Sequence, residues 1–256
     1  MRILLIGNGK MGREIRLLAE SRGHRVTAAL NSEDTTQNAD AFDADGNPGR
    51  TPFDEADVVI DFSSPSALPA VAGYVRRTGT PLVCGTTGYS AEQAEVLRRL
   101  GEAAPVLYSA NYSMGVAVMK RILRDCGAYL LNGGFDAELV ETHHRQKADA
   151  PSGTAKALLE ALDPAGELEP VYGRHGLCRR GTSEIGVHVL RGGTEAGTHS
   201  VQFFGEDETL EVRHSAASRS IFARGALYSA ERLAGRGPGY YTFEQLLFDE
   251  TEGEHR

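Results

Sequence analysis

The sequence has no tryptophan and only three cysteines, Cys84, Cys126 and Cys178. No two of them are close in the chain, so the spacing typical of a structural zinc site is missing, and an odd number does not suit a disulfide framework. We therefore expect neither a disulfide nor a bound metal ion. Cys84 ends a short apolar run, and we interpret it as a small core residue rather than a thiol nucleophile.

Long apolar stretches and net positive charge are missing as well. No segment approaches the roughly 20 apolar residues that cross a membrane, and the apolar run at Arg2–Ile6 is too short for a signal peptide. Because 35 acidic residues outnumber 27 lysines and arginines, the formal net charge is -8. These features predict a cytoplasmic protein without nucleic-acid or membrane partners. Cationic groups that bind an anionic ligand must then be clustered locally.

Glycine is abundant, with 30 residues, and short apolar runs alternate with helical periodicity in the first half of the chain. This alternation predicts a Rossmann-like α/β domain, which is a doubly wound parallel sheet covered by helices. The polar segment Asn31–Phe53 is interpreted as mostly irregular. The predicted strands are Ile3–Ile6, Val26–Leu30, Val58–Ile60, Leu82–Cys84 and Val106–Tyr108, and helices are predicted from about Met11, over Ala67–Val75 and over Ala91–Leu100.

The pattern changes after Asn111, where helices are followed by segments that alternate apolar and polar residues. This predicts a smaller α+β domain with an open mixed sheet and antiparallel neighbours. We expect a dinucleotide-binding domain at 1–113 plus 220–256 and a substrate domain at 114–219. The predicted helices are Val116–Leu131, Thr154–Leu162 and Ile221–Leu233, and the predicted strands are Ala137–Thr142, Ile185–Leu190, Ser200–Phe204 and Leu210–Arg213.

The first predicted strand runs directly into a glycine-rich turn that opens a helix. Glycines at these spacings allow a tight turn, a close approach of the backbone to a pyrophosphate and close packing of the helix on the strand. The helix N-terminus also offers N–H groups to phosphates. This context predicts a dinucleotide site rather than an ordinary glycine-rich connection. Its residues are Gly7, Asn8, Gly9, Lys10, Met11 and Gly12.

Two more loops follow predicted strands at the edge of the sheet where ligands bind in such folds. Their small hydroxyl and amide groups suit a nicotinamide carboxamide, although the same residue types also form ordinary turns. Asp61-Phe62-Ser63 ends another strand in the same way, with a weaker signal. The two loops contain Gly85, Thr86, Thr87 and Gly88, and Ser109, Ala110, Asn111 and Tyr112.

The choice of cofactor depends on the end of the second strand. NAD users usually carry an acid about 20 residues after the glycines, whereas this chain has the neutral pair Asn31-Ser32. A neutral pair does not repel a 2′-phosphate, and Lys10 or Arg13 offers it a positive charge. We expect NADPH to be accepted, and NADH stays open as the alternative or additional cofactor.

A basic segment after the strand Ala137–Thr142 carries the predicted chemistry. Four residues within a stretch of five, His143, His144, Arg145 and Lys147, bring potentially cationic groups together. Ser152-Gly153-Thr154 then starts a helix with N–H donors and a hydroxyl. Imidazoles titrate near neutrality and an ammonium group donates a proton, so the segment suits carboxylate binding and acid chemistry. The alternative is a solvated basic loop with one histidine in the core.

The segment His143–Ala155 closely resembles the signature of the 4-hydroxy-tetrahydrodipicolinate reductases, the dihydrodipicolinate reductases of bacterial lysine and diaminopimelate biosynthesis. The resemblance extends over nearly the whole chain, including Arg191-Gly192-Gly193-Thr194 and Ile221-Phe222-Ala223, and is strongest to the shorter members. It implies an NAD(P)H-dependent oxidoreductase that acts on a small dicarboxylate and forms a homotetramer through the sheets of the substrate domain. Many relatives have an acid followed by arginine at Asn31-Ser32, so the cofactor preference is not implied.

The resemblance also implies roles for individual residues. His143 matches a proton donor or acceptor, Lys147 matches the proton donor, and His144 matches a substrate ligand. Gly153 and Thr154 match the backbone and hydroxyl groups that hold a substrate carboxylate. The glycine loop at 7–12 and the loops at 85–87 and 109–112 match cofactor contacts.

The expected reaction starts with loss of water from a 4-hydroxyl and continues with hydride delivery to C4 of the resulting conjugated imine. One alternative is an aspartate-semialdehyde or amino-acid dehydrogenase relative. The aspartate-semialdehyde reading requires a nucleophilic cysteine in the second half of the chain, where Cys126 and Cys178 lie in unconvincing settings. The other alternative is a regulatory protein that senses a nicotinamide dinucleotide without turnover, which requires an empty or apolar second cleft.

Overall fold

The computed structural model describes residues 1–31 and 56–248. The segment Asn31–Phe53, expected to be irregular, lies outside the described residues except for Asn31. The chain divides into two compact units, one from the described parts of Met1–Ser113 and Ser220–Arg256 and the other from Met114–Arg219. Within the described residues, no helix combines the length and the apolar character that a membrane span requires.

The first unit is built on a six-stranded sheet in which every pairing is parallel. Positions 3–6 and 58–61 are buried without interruption, as expected for parallel strands that are covered on both faces. The sheet order is β11-β5-β4-β3-β1-β2. Numbered along the whole chain, its strands are β1 (Arg2–Ile6), β2 (Arg25–Leu30), β3 (Val58–Asp61), β4 (Leu82–Cys84), β5 (Pro105–Tyr108) and β11 (Gly239–Tyr241).

Helices of the first unit begin and end where the sequence provides the expected signals. Ser90 and Gln93 form a capping box at the start of the helix Ala91–Leu100. Gly79 ends the helix Leu68–Thr78 in the left-handed conformation with φ +68°. The Rossmann-like prediction is confirmed. The helices are α1 (Lys10–Ser21), α2 (Leu68–Thr78), α3 (Ala91–Leu100), α6 (Ser220–Leu233) and α7 (Phe243–Phe248), and a short 3₁₀ turn spans Pro65–Ala67.

β1 lies between β2 and β3, so the chain adds β2 on one side of β1 and then crosses over to add β3 on the other side. In parallel sheets, a reversal of this kind opens a crevice at the carboxyl ends of the two strands, and ligands bind there. Gly7 follows β1 and Phe62 follows β3 at this edge. The topology therefore brings the predicted glycine loop to the position where dinucleotides bind in doubly wound folds.

The second unit is a five-stranded mixed sheet in the order β10-β9-β6-β8-β7. Two helices, α4 (Met114–Asn132) and α5 (Gly153–Leu162), cover one face, where Leu139, Val187 and Val201 form the core. The prediction of a mixed sheet is confirmed. The strands are β6 (Asp136–His143), β7 (Glu169–Tyr172), β8 (Glu184–Arg191), β9 (Thr198–Phe204) and β10 (Thr209–Ser215).

The expectation of antiparallel neighbours is correct for one side of this sheet and wrong for the other. The pairs β10/β9 and β9/β6 are antiparallel, whereas β6/β8 and β8/β7 are parallel. The reason is that the chain returns to the starting end of the sheet twice, first through α5 before β7 and then through the connection 173–183 before β8. Two short strands, β7 and β11, were not expected, since they have only 4 and 3 residues and lack an apolar run.

Candidate active site

Close contacts that exclude side chains shape the glycine loop after β1. Gly7 has φ +104°, and its N–H donates to the carbonyl of Leu30 at 2.6 Å. A Cβ at Gly7 would lie 2.3 Å from the carbonyl oxygen of Phe62, and a Cβ at Gly12 would lie 1.8 Å from the carbonyl oxygen of Gly7. Packing therefore requires both glycines. A Cβ at Gly9 would meet nothing within 4 Å, so Gly9 leaves open space at the loop surface.

The start of α1 is available to an anion. Gly9 is its N-cap, and no described side chain caps the helix. Asn8 and Lys10 are exposed beside it, and Met11 is partly buried. A helix start without a side-chain cap presents N–H groups and the positive end of the helix dipole. The geometry of this loop therefore fits the pyrophosphate of a dinucleotide.

Asp61 is buried at the end of β3 and joins two of the predicted loops. Its Oδ1 accepts hydrogen bonds from Ser63 N–H at 3.0 Å, from Ser63 Oγ at 2.5 Å and from Thr86 Oγ1 at 3.1 Å. Burial raises the pKa of the Asp61 carboxyl, and these hydrogen bonds oppose that rise. The hydroxyl of Thr86 thus connects one loop to the other, whereas Thr87 is exposed at the same edge.

Cys84 and Gly85 belong to the packing of this edge. A Cβ at Gly85 would lie 2.3 Å from Cζ of Phe62, so the aromatic ring packs directly on the glycine. Cys84 is completely buried, and burial raises the pKa of its thiol. A buried thiol that stays protonated is not a nucleophile. The interpretation of Cys84 as a core residue is confirmed.

The loop after β5 uses most of its polar groups internally. Ser109 Oγ donates to the carbonyl of Asn111 at 2.7 Å, and Asn111 Oδ1 accepts from Ser113 N–H at 2.8 Å. Tyr112 is buried, and its hydroxyl donates to the carbonyl of Cys84 at 2.8 Å. The Tyr112 ring therefore stabilises the first unit, and any cofactor contact at Tyr112 is left to its backbone. Ala110 is exposed at the tip of the loop.

In the second unit, the predicted reaction segment begins at the end of β6, as expected. His143 is the last residue of this strand and is 8% exposed. Its Nδ1 lies 2.7 Å from Oε2 of Glu141, which is fully buried two residues earlier on the same face. The His199 ring lies edge-on to the His143 ring, with centroids 5.2 Å apart. Three titratable groups are therefore packed together beneath the segment.

Backbone hydrogen bonds hold the segment that carries His144 and Lys147. The N–H of His144 donates to the carbonyl of Glu195 at 2.8 Å, and the N–H of Lys147 donates to the carbonyl of His144 at 3.1 Å. Both side chains are partly exposed. Lys147 Nζ forms an ion pair with Asp149 Oδ1 at 2.8 Å. The ammonium group of Lys147 therefore already binds a carboxylate of the same chain.

The helix α5 starts at Gly153, one residue before the predicted bound and within the predicted helix start Ser152-Gly153-Thr154, and Ser152 is its N-cap. Ser152 Oγ accepts a hydrogen bond from Ala155 N–H at 3.1 Å. Gly153 is exposed and Thr154 is partly exposed at the first turn. The hydrogen bond from the Lys147 ammonium group lowers the pKa of the Asp149 carboxyl, and a weaker contribution comes from the backbone of Gly153. A carboxylate of the chain itself is thus bound at the predicted carboxylate site.

The pKa values of the buried groups define which of them carry charge near neutral pH. Burial lowers the pKa of His143, and the nearby Lys147 and Arg191 lower it further, against the attraction of Glu141. Burial lowers the pKa of His199 to about 4. Burial would raise the pKa of Glu141, but hydrogen bonds from Ser152 and Arg191 outweigh burial and lower it. At pH 7 the cluster therefore contains an ionised carboxylate and two neutral imidazoles.

Glu141, His143 and His199 are also the described residues that best approximate a set of metal ligands, since one donor atom from each lies within 4.8 Å of the others. The carboxylate of Glu141 already has a cationic partner, because Arg191 Nη2 lies 3.1 Å from its Oε1. A second positive charge would be added next to this guanidinium and to the ammonium of Lys147. The charge balance does not favour a divalent ion here.

Three residues of this site were not assigned a role from the sequence: Glu141, Arg191 and His199. Glu141 had a usable signal, since its spacing of two from His143 on a strand puts both side chains on one face. Arg191 was only part of a segment that carries the family resemblance, without a role, and His199 had no signal, because both come from other strands. The sheet register aligns Arg191 with His143 and His199 with Glu141.

Two family models match the chain. One is described as the N-terminus of dihydrodipicolinate reductase and matches residues 1–112, and the other is described as its C-terminus and matches residues 115–247. Together they cover both compact units.

Curated relatives and a solved structure give the same result. A 4-hydroxy-tetrahydrodipicolinate reductase of Exiguobacterium sp. strain AT1b is 37% identical over 100% of this chain and 99% of its own. The protein of that name from Staphylococcus epidermidis is 39% identical over 96% of this chain and 100% of its own. The fold is similar to that of a dipicolinate-bound dihydrodipicolinate reductase from Paenisporosarcina sp. TG-14, with a TM-score of 0.74, 21% identity, and coverage of 94% of this chain and 97% of that one.

Proposed function

The chain belongs to the dihydrodipicolinate reductase family, and from this premise we propose that it reduces 4-hydroxy-tetrahydrodipicolinate in lysine and diaminopimelate biosynthesis. It is an oxidoreductase that depends on a nicotinamide dinucleotide. The balanced reaction consumes NAD(P)H, one proton and the substrate. It releases NAD(P)⁺, water and tetrahydrodipicolinate.

The observation that carries the proposal is the clustering of His143, His144 and Lys147 beside the start of α5, in a protein with a formal net charge of -8. The binding of Asp149 to the ammonium of Lys147 and to the backbone of Gly153 supports a carboxylate site at this position. A dicarboxylate substrate has the groups that would replace the Asp149 carboxylate.

The charge and exposure of the side chains support the proposed roles. Lys147 supplies the proton, because its ammonium group is partly exposed and can donate one to a bound substrate. His143 is neutral at this pH, so it acts as a hydrogen-bonding partner or proton acceptor rather than as a cation. His144, together with the backbone of Gly153 and the hydroxyl of Thr154, binds the carboxylates of the substrate.

The nicotinamide supplies the hydride when the cofactor is bound. In this chain, the backbone at Gly7, Gly9 and Gly12 and the start of α1 hold the pyrophosphate. We propose that NADPH and NADH are both accepted and that Lys10 favours the 2′-phosphate of NADPH. The reaction requires no metal ion, because an ammonium group stabilises the charge that develops on the ring nitrogen during hydride transfer.

The test is an assay of cofactor oxidation with 4-hydroxy-tetrahydrodipicolinate, run with NADPH and with NADH. We expect turnover by the wild type, and a loss of kcat of about 10²-fold or more in Lys147→Ala and in His143→Gln, which is the range for a proton-transfer group. Lys156→Ala is the matched control, because Lys156 is exposed on α5 near the same site. Near-wild-type kcat in both site variants would contradict the assignment. Dinucleotide binding without oxidation would favour a sensor instead.

The cofactor preference has a separate test. If Lys10 binds the 2′-phosphate, Lys10→Ala should raise KM for NADPH and leave KM for NADH unchanged. The same ratio of the two KM values in variant and wild type would remove Lys10 from this role.

We also propose that the chain forms a homotetramer through the sheet of the second unit. The sheet face opposite α4 and α5 exposes Leu190 and Phe204, which are 54% and 40% accessible. Apolar side chains in such positions are typical of subunit interfaces. Light scattering after size exclusion should give four times the chain mass of 27.5 kDa, and Leu190→Asp should lower it. A monomeric wild type would contradict the proposal.

A further inference from the structure

The carboxylate of Glu141 is enclosed by the predicted active-site groups. Its Oε1 accepts hydrogen bonds from Ser152 N–H at 2.8 Å and from Arg191 Nη2 at 3.1 Å. Its Oε2 lies 2.7 Å from His143 Nδ1 and 3.8 Å from His199 Nε2. The side chain of Glu141 is 0% exposed. Because both oxygens contact protein groups, Glu141 can affect the site only through these groups.

Arg191 extends these contacts to the segment that carries Lys147. Its Nε donates to the carbonyl of Lys147 at 3.2 Å, and its Nη2 donates to the carbonyl of Asp149 at 2.7 Å. The planar guanidinium group has several donors in a fixed arrangement, so one side chain can hold two turns of backbone and a carboxylate at once. Arg191 therefore fixes the loop backbone, and its charge is matched by Glu141.

Each of these bonds fixes a different element. The contact with His143 fixes the end of β6, the bond from Ser152 fixes the start of α5, and Arg191 fixes the loop between them. These elements carry an imidazole, a carboxylate-binding helix start and an ammonium group. Their relative placement decides whether one substrate can contact all three.

We propose that the buried Glu141–Arg191 ion pair positions the proton-donating and carboxylate-binding groups of the active site. Neither residue is a catalytic residue, because both act through His143, Ser152 and the backbone of Lys147. This inference rests on the proposed function and adds to it two residues that do not touch the substrate. Removing either partner leaves a buried charge without its counterpart, so the loop and the helix start lose their common anchor.

The pair also affects the charge state of His143. The contact at 2.7 Å is short but bent, so its main effect is electrostatic attraction. Glu141 raises the pKa of His143 against burial. Replacement of Glu141 by the neutral, similarly shaped glutamine removes this attraction. The pKa of His143 should therefore fall in the variant, which a purely structural role elsewhere in the protein would not cause.

The experiment compares Glu141→Gln and Arg191→Lys with the control Glu138→Gln. Glu138 lies on the same strand and forms ion pairs with Arg174, Arg180 and His188, none of which belongs to the proposed active site. We expect kcat/KM to fall by about 10²-fold in both site variants, as for a misplacement of about 1 Å. Arg191→Lys should change both KM and kcat, because the loop carries binding and proton-donating groups. The control should stay near wild type.

Two further measurements distinguish the possible failures. Calorimetry with dipicolinate, a dicarboxylate, should show weaker binding to both site variants than to the wild type. If the wild type binds dipicolinate in this way but shows no turnover, the proposed function fails and the inference about the ion pair does not. The His143 ring titration by NMR should shift to lower pH in Glu141→Gln. Wild-type kcat/KM and dipicolinate affinity in that variant would overturn the inference, as would an equal loss in Glu138→Gln. If Glu141→Gln does not fold, Glu141→Asp replaces it, because aspartate keeps the charge. We expect Glu141→Asp to be more active than a folded Arg191→Lys variant. An activity no higher than that of Arg191→Lys would also overturn the inference.

Discussion

The buried imidazole of His199 illustrates how single residues link this site to stability. Its Nε2 lies 3.2 Å from Ser152 Oγ and 3.8 Å from Glu141 Oε2. The ring is 4% exposed, and burial holds its pKa near 4. His199 therefore stays neutral over most of the pH range in which the protein is expected to work. Its contribution is to pack beneath His143 without adding a charge.

The low pKa of His199 predicts a dependence of stability on pH. In the unfolded chain this histidine takes up a proton near pH 6.5, whereas in the folded protein it does so only near pH 4. As the pH falls from 6.5 to 4, the unfolded state binds the proton first, so the free energy of unfolding decreases. At 1.36 kcal/mol per pH unit, the loss attributable to His199 is about 3 kcal/mol.

The measurement is urea unfolding followed by circular dichroism between pH 4 and 7. His199→Gln should flatten the decrease, even though the variant is less stable at pH 7 because it loses ring contacts. His175→Gln is the control, since His175 is exposed. An unchanged slope in His199→Gln would show that the ring titrates normally in the folded protein.

At the level of elements, glycines of the loop between β1 and α1 meet two different requirements, close packing of the helix and access for a ligand. Gly12 is required because α1 packs directly on the backbone of Gly7, whereas the space at Gly9 faces outward. At Gly12 the fold itself excludes a side chain, whereas at Gly9 a side chain would occupy the space that a ligand needs. The two can be tested independently.

Gly12→Ala should lower stability by about 1–3 kcal/mol or more, because its Cβ meets a backbone oxygen that cannot move freely. It should also weaken NADPH binding, since α1 must shift. Gly9→Ala should keep the wild-type melting temperature and weaken only NADPH binding. Thermal unfolding and fluorescence titration with NADPH measure the two effects. Wild-type affinity in Gly9→Ala would argue against a close approach of the pyrophosphate to this loop.

The N-caps provide a second matched comparison between elements. Ser152→Ala removes the cap of α5 and should lower stability by about 1 kcal/mol. It should also raise KM for the dicarboxylate, because the start of α5 is the proposed carboxylate site. Ser90→Ala removes the cap of α3, whose start is not part of the proposed site. It should lower stability to a similar extent and leave KM unchanged. Equal KM values in the two variants would contradict a carboxylate site at α5.

For the whole molecule, binding of the cofactor should appear as increased stability. A ligand present at 100 times its Kd adds about 2.7 kcal/mol to the free energy of unfolding when it binds only the folded state. For a chain of this size, that corresponds to about 5–10 °C in melting temperature. Differential scanning fluorimetry with NADPH and NADH should show this shift for both. A shift with one cofactor alone would establish the preference, and Gly12→Ala should lose the shift.

The α/β class and the core of most elements were predictable because buried parallel strands leave continuous apolar runs. The segment Ile3–Ile6 and its glycine turn identify the first strand and the loop that follows it without any knowledge of neighbours. The helix start at Ser152 was also predictable, since capping depends on residues within one turn. The short strands β7 and β11 were not, because pairing rather than composition defines them.

The sequence by itself determined which residues have the right chemistry: His143, His144 and Lys147 lie within five residues of one another, so chain connectivity alone brings them together. Only the tertiary structure decided which buried groups contact and position them. Glu141, Arg191 and His199 come from three strands, and the sheet register aligns them. Their pKa values and their ion pair depend on burial and on distances across the sheet, which no local pattern encodes.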